Sequence, residues 1–224
     1  MRALKGQSDI IAVVLIVLIA IGLLGVAYSF GLPLIQKNQD RALDDRVKGV
    51  FSSNNVNSLP AKIQSLANSG TKDSVTIDVS GATTLVPGEE PGAPFTTVKN
   101  NSIEFGFQSA VASFARDAGW IPLTGSGCDP VSNGIIGQDE AAVVCARVDS
   151  TGGGFYNVTY KVQFRTLEDA QKRNGFAIKL VRHPSSPLIA AGDRTQVRME
   201  FGEKRTVVSG TQTLIITDVK VLLV

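Results

Sequence analysis

Residues 10–36 read IIAVVLIVLIAIGLLGVAYSFGLPLIQ, 27 residues without a single charged side chain. As a helix this stretch is about 40 Å long, against roughly 30 Å for the hydrocarbon core of a bilayer, so it can span a membrane with some tilt. It is apolar on every side and lacks the polar face with which a helix lies flat in the interface. Arg2 and Lys5 stand just ahead of it. Basic residues on that flank orient the N-terminus toward the cytoplasm and the rest of the chain outside.

Three readings of the segment compete. A cleaved secretory signal needs about 7 to 15 apolar residues and a small-residue cleavage site. The run is longer than that, although Gly25-Val26-Ala27 loosely resembles such a site. A plain signal anchor satisfies the hydropathy equally well. The third reading rests on Lys5-Gly6-Gln7-Ser8-Asp9-Ile10: a short basic leader ends in glycine, polar residues follow, and the apolar run begins. This order resembles the class III signal of archaeal type IV prepilins and archaellins. In that family a prepilin peptidase cuts on the cytoplasmic side and the apolar segment stays in the mature protein.

The resemblance implies cleavage between Gly6 and Gln7. Residues 1–6 are then a leader, 7–52 the membrane and filament-core helix, and 53–224 an extracellular β-rich domain. Along the helix, Ile10, Val14, Leu18, Ile21, Gly25, Phe30 and Leu34 would line the filament core. One departure is plain. Bacterial type IV pilins carry Glu at the fifth mature position, whereas Asp9 here would be third and Ile11 fifth. Ser8 is read as a helix cap; Asp9, favoured at the positive end of the helix dipole, either pairs with a neighbouring subunit's N-terminal amine as that Glu is thought to do or only caps its own helix, the plainer reading.

On the other side, residues 37–48 (KNQDRALDDRVK) combine good helix formers with mixed charges. The helix is predicted to continue to about Phe51. Leu43, Val47, Val50 and Phe51 then form an apolar stripe able to pack under a globular head. Pro33 predicts a kink or a locally melted turn. Gly22, Gly25 and Gly31 permit close approach of neighbouring helices.

The texture changes after residue 51. Residues 52–58 (SSNNVNS) form a polar joint, and 60–68 (PAKIQSLAN) predict a short helix with Pro at its start and Gly70 past its end. Strand composition marks 75–78, 103–108, 141–148, 155–164, 176–182, 196–201 and 212–224. Ile103, Phe105 and Phe107 alternate with polar residues, as do Tyr156, Val158, Tyr160, Val162 and Phe164. Residues 86–94, 151–154 and 209–210 punctuate them as turns. The fold class expected is α+β: a long apolar N-terminal helix, then an antiparallel β-sandwich head, immunoglobulin-like or related. Archaeal pilins and archaellins generally share that layout.

Little in the remainder points to chemistry. Cys128 and Cys145 lack the spacing and partners of a zinc site, and His183 is the only histidine. A disulfide is the better reading outside the cell, closing about 17 residues. Asn100 and Asn157 head glycosylation sequons, the second inside a predicted strand. Gly152-Gly153-Gly154 lacks the Lys and Ser/Thr of a phosphate loop and reads as a turn. Trp120 reads as loop packing and His183 as a surface residue.

Net charge is +2, from 22 basic and 20 acidic residues, with no basic patch suited to nucleic acid. The expectation is therefore no enzyme, no cofactor, no metal and no nucleic-acid partner. The resemblance implies a structural subunit: a helical homo-oligomer outside the cell, for adhesion or surface attachment. It would reside in the membrane before assembly and be handled by prepilin peptidase and pilus assembly machinery. The alternative is a membrane-anchored accessory or stator protein of an archaeal motility or pilus machine.

Overall fold

The computed structural model describes residues 5–90, 98–124, 127–128 and 132–224, with the backbone alone for 5–10. Most of the leader, part of the 86–94 turn and Pro130 lie outside the described residues. The chain divides into two compact units, Met1–Ala42 and Leu43–Val224.

Helix α1 runs Lys5–Phe51. It passes through Pro33 without interruption, so the melted turn expected there is absent. Proline already has a helical φ, and its cost is confined to a missing N–H and a crowded carbonyl. In the uncut chain the helix begins ahead of Ser8. Helix α2, Leu59–Ser69, has conventional ends. Ser58 Oγ accepts from Ala61 N, Pro60 sits in the first turn, and Gly70 closes the helix in a left-handed conformation.

Among the described residues twelve strands follow: β1 Lys72–Ile77, β2 Gly81–Gly88, β3 Asn100–Ser109, β4 Ile121–Pro122, β5 Gly134–Ile135, β6 Ala142–Gly152, β7 Phe155–Phe164, β8 Leu167–Glu168, β9 Asn174–Arg182, β10 Ile189–Gly192, β11 Thr195–Ser209 and β12 Gln212–Leu223. They form two six-stranded sheets, ordered β1-β11-β12-β9-β8-β5 and β10-β2-β3-β7-β6-β4. This is the α+β architecture with a sandwich head. The second sheet is antiparallel throughout, whereas in the first β9 pairs with β12 in parallel, as does β5 with β8. That mixture is the main departure from the antiparallel expectation.

Period-2 alternation sets the core. Ile103, Phe105 and Phe107 of β3 point inward with Val158, Tyr160, Val162 and Phe164 of β7. They meet Ile178, Leu180, Val197, Met199, Val219 and Val221 from the facing sheet. Ile63 and Leu66 of α2, and Val47 and Phe51 at the end of α1, complete the same cluster. The head thus begins at Leu43, inside the helix. The outer face of the first sheet carries a smaller cluster of Ala177, Leu214, Ile216 and Val98.

Asn101 joins the two sheets. Its Nδ2 donates to Phe164 O (2.9 Å) and Ile178 O (2.7 Å), and its Oδ1 accepts from Leu180 N (2.8 Å). A fully buried carboxamide thereby does for the edge of β9 what a neighbouring strand would do. It is held there by a left-handed backbone, φ +44°, a conformation that Asn tolerates better than most residues.

Candidate functional site: an uncovered apolar helix and its rooted end

The surface of α1 between Ile11 and Ile35 is bare. Val14, Leu18, Ile21, Phe30 and Leu34, read above as core-lining positions, are all exposed, Phe30 at 70%. Gly25 is exposed too, and a Cβ placed on it, on Gly22 or on Gly31 would meet nothing. Ile10, Gly6 and Gln7 lie in the helical backbone, where side chains are not described. By length and composition the helix is able to cross a membrane, and a signal sequence near an N-terminus would pass the same test. A continuous apolar surface of this extent is not stable in water; monomeric soluble proteins rarely expose patches beyond a few hundred Å².

The helix end within the head is rooted by specific contacts. Val47 and Phe51 are fully buried. The Phe51 ring lies 5.9 Å from that of Tyr160, and Phe114 packs edge-on to Tyr160 at 6.0 Å. Tyr160 Oη donates to Asp44 Oδ1 at 2.8 Å, both groups being buried. Burial pushes the Tyr160 phenol upward, and the Asp44 carboxylate beside it adds to the shift. The stripe Leu43, Val47, Val50, Phe51 was legible from its spacing. Asp44, a buried charge inside a charged run, gave no such signal; neither did Asn101.

Cys128 and Cys145 are bonded to each other, with Cα atoms 6.1 Å apart. With Val143 they form a small cluster against which Trp120 packs. The Trp120 ring also carries Lys161 Nζ at 4.2 Å and Arg147 Cζ at 4.8 Å. Cations on the ring make Trp120 part of the wall rather than a free aromatic.

The two sequons differ. Asn157 is exposed on the outer face of β7. Asn100 has φ +62°, and its amide donates to Glu89 Oε1 at 2.6 Å. His183 is half-buried, and its Nδ1 accepts from Ser185 N at 3.2 Å. Gly152, Gly153 and Gly154 all have positive φ and form the β6–β7 turn.

Among the described residues no group of three or more His, Cys, Asp or Glu is placed to hold a metal ion. A polar cavity of about 330 Å³ is lined by Thr124, Asp139, Glu140 and Arg165. Arg165 there donates to Glu140 O at 2.8 Å and pairs with Asp139 at 3.3 Å, contacts that brace the start of β6. No protein-family model, curated protein or solved structure matches this chain.

Proposed function

We propose that this chain is the structural subunit of an extracellular filament of the archaeal type IV pilus kind, serving adhesion or surface attachment. The observation that carries the reading is the charge-free helix surface from Ile11 to Ile35, whose large apolar side chains are exposed. Lipid solvates that surface first, and copies of the same helix solvate it after assembly. The exchange is lipid contact for helix contact, so packing at small residues such as Gly22 and Gly25 decides the fit. The Lys5-Gly6-Gln7 order supplies the cut that removes Arg2 and Lys5 before assembly. Prepilin peptidase and a pilus assembly machine are the partners this reading requires. The sandwich forms the outer sheath, and a head-to-tail contact repeated without closing gives helical symmetry.

N-terminal sequencing of the chain recovered from sheared surface fibres tests the proposal. A start at Gln7 supports it. An intact Met1, on chains recovered from the membrane fraction alone, favours the anchored accessory protein instead.

A further inference from the structure

The long hairpin of β11 and β12 outgrows its neighbour. β1 pairs with β11 only from Thr195 to Glu200, and a register shift separates Phe201 from Lys204. From Lys204 to Ser209, β11 is paired with β12 on one side, and among the described residues no strand pairs its other side. Ser209 and Gln212 close the hairpin around Gly210, whose φ is +60°. The residues flanking a two-residue loop form a hydrogen-bonded pair, and pairs alternate from there. Ser209, Val207 and Arg205 therefore bond inward to β12. Thr206 and Val208 direct their N–H and C=O groups to the open edge.

The other sheet margins are blunted. β4 and β5 have two residues each and β10 has four. β1 carries Lys72 and Asp73 in ion pairs with Glu200 and Lys62. The β11 edge instead presents Thr206-Val207-Val208-Ser209, uncharged and largely β-branched, with Val208 67% exposed. An unpaired edge of this composition is a template for another strand.

We propose that this edge pairs with the same edge of a second copy of the chain, antiparallel about a two-fold axis at Val207. In that register Thr206 bonds to Val208 of the other copy and Val208 to its Thr206. Arg205 lies opposite Ser209, and Lys204 opposite Gly210, so no like charges meet. Arg205 is already engaged with Glu90 and Asp218 of its own chain. A register two residues earlier in sum would set Arg205 opposite Val207 and Lys204 opposite Val208, placing both cations against the valines. The chosen register also continues an apolar row: the other copy's Val208 lies beside Thr206, which pairs with Ile215, which pairs with the exposed Phe176. Such a contact is isologous and closes on itself. It does not propagate a filament; it links heads of two separate assemblies side by side, and it stands whether or not the chain forms fibres.

The test is Val207→Cys in the full chain, held in detergent micelles under mild oxidation. Both native cysteines are already bonded to each other. The expected result is a disulfide-linked dimer forming at least about tenfold faster than in a Val56→Cys control, whose position is also exposed. Adding Val208→Pro removes an edge N–H without touching the β12 bonds, and should return cross-linking to the control rate. Equal rates for Val207→Cys and Val56→Cys would overturn the proposal. So would cross-linking that Val208→Pro leaves unchanged while circular dichroism shows a folded head.

Discussion

Tyr160 on β7 and Asp44 near the end of α1, 116 residues apart in sequence, share a buried hydrogen bond of 2.8 Å. It ties the last turns of the helix to the central strand of the sandwich. Tyr160→Phe would leave the Asp44 carboxylate without that donor in a buried site, at a cost of about 1–3 kcal/mol. Thermal unfolding of the full chain should show the midpoint lowered by a few degrees. Asp44→Ala combined with Tyr160→Phe should cost less than the sum of the single changes, because each removes the same bond.

Asn101→Ala tests the carboxamide that stands in for a strand. The change leaves Leu180 N–H and the Phe164 and Ile178 carbonyls without this partner. It also puts Ala at a positive φ. Each factor is worth on the order of 1–3 kcal/mol, so the variant should be among the least stable single changes in the head. Denaturant unfolding measures it. Asn101→Gly, which relieves only the backbone, should recover a minor part of the loss.

The Cys128–Cys145 bond closes a loop with a sequence separation of 17. Replacing both by Ser should cost roughly 3 kcal/mol on the chain-entropy account. Cys145 is fully buried and Cys128 nearly so, so reductant should act slowly on the native head and quickly on the unfolded chain. Trp120, the only tryptophan, packs against the bond. Its fluorescence should change in step with reduction.

Glu90 bonds to Lys179 and Arg205, which hold its carboxyl below its ordinary value of 4.5, while slight burial opposes them. The sign follows from linkage: a folded value lower than the unfolded one means the ionised group favours the folded state. The contribution is complete above the unfolded value and is lost as pH falls through the folded one. Because Glu90 is more than half exposed, its size is at most about 1 kcal/mol, and salt should shrink it. The difference in stability between the wild type and Glu90→Gln should be constant at neutral pH and shrink as pH falls below the ordinary value of 4.5 toward the lower folded one.

Which parts of this architecture were legible in the sequence follows from how each is encoded. The inward alternation of β3 and β7, and the stripe from Leu43 to Phe51, are periodic and local. β2, with Gly81, Pro87 and Gly88 in eight residues, hid among turn signals, because its pairing with β3 and not its own propensity makes it a strand. The second half of β11 contains Lys204 and Arg205 and lies beyond the predicted strand 196–201; it is a strand because β12 holds it. The parallel pairing of β9 with β12 depends on a crossover through β10 and β11, which no local pattern reports. At the helix the charge-free run was evident at once. Its rooting through Asp44 was not, since a carboxylate buried by one distant tyrosine resembles any surface acid until the fold brings them together.

In the proposed filament the helix surface around Leu18 and Phe30 passes from lipid to contact with identical helices. Electron cryo-microscopy of fibres sheared from the cells that make this protein tests it most directly. Such fibres should have a core of closely packed helices fitting residues from Gln7 onward, surrounded by the sandwich heads. Fibres built without this chain, with the protein present only as single copies in the membrane, would contradict it.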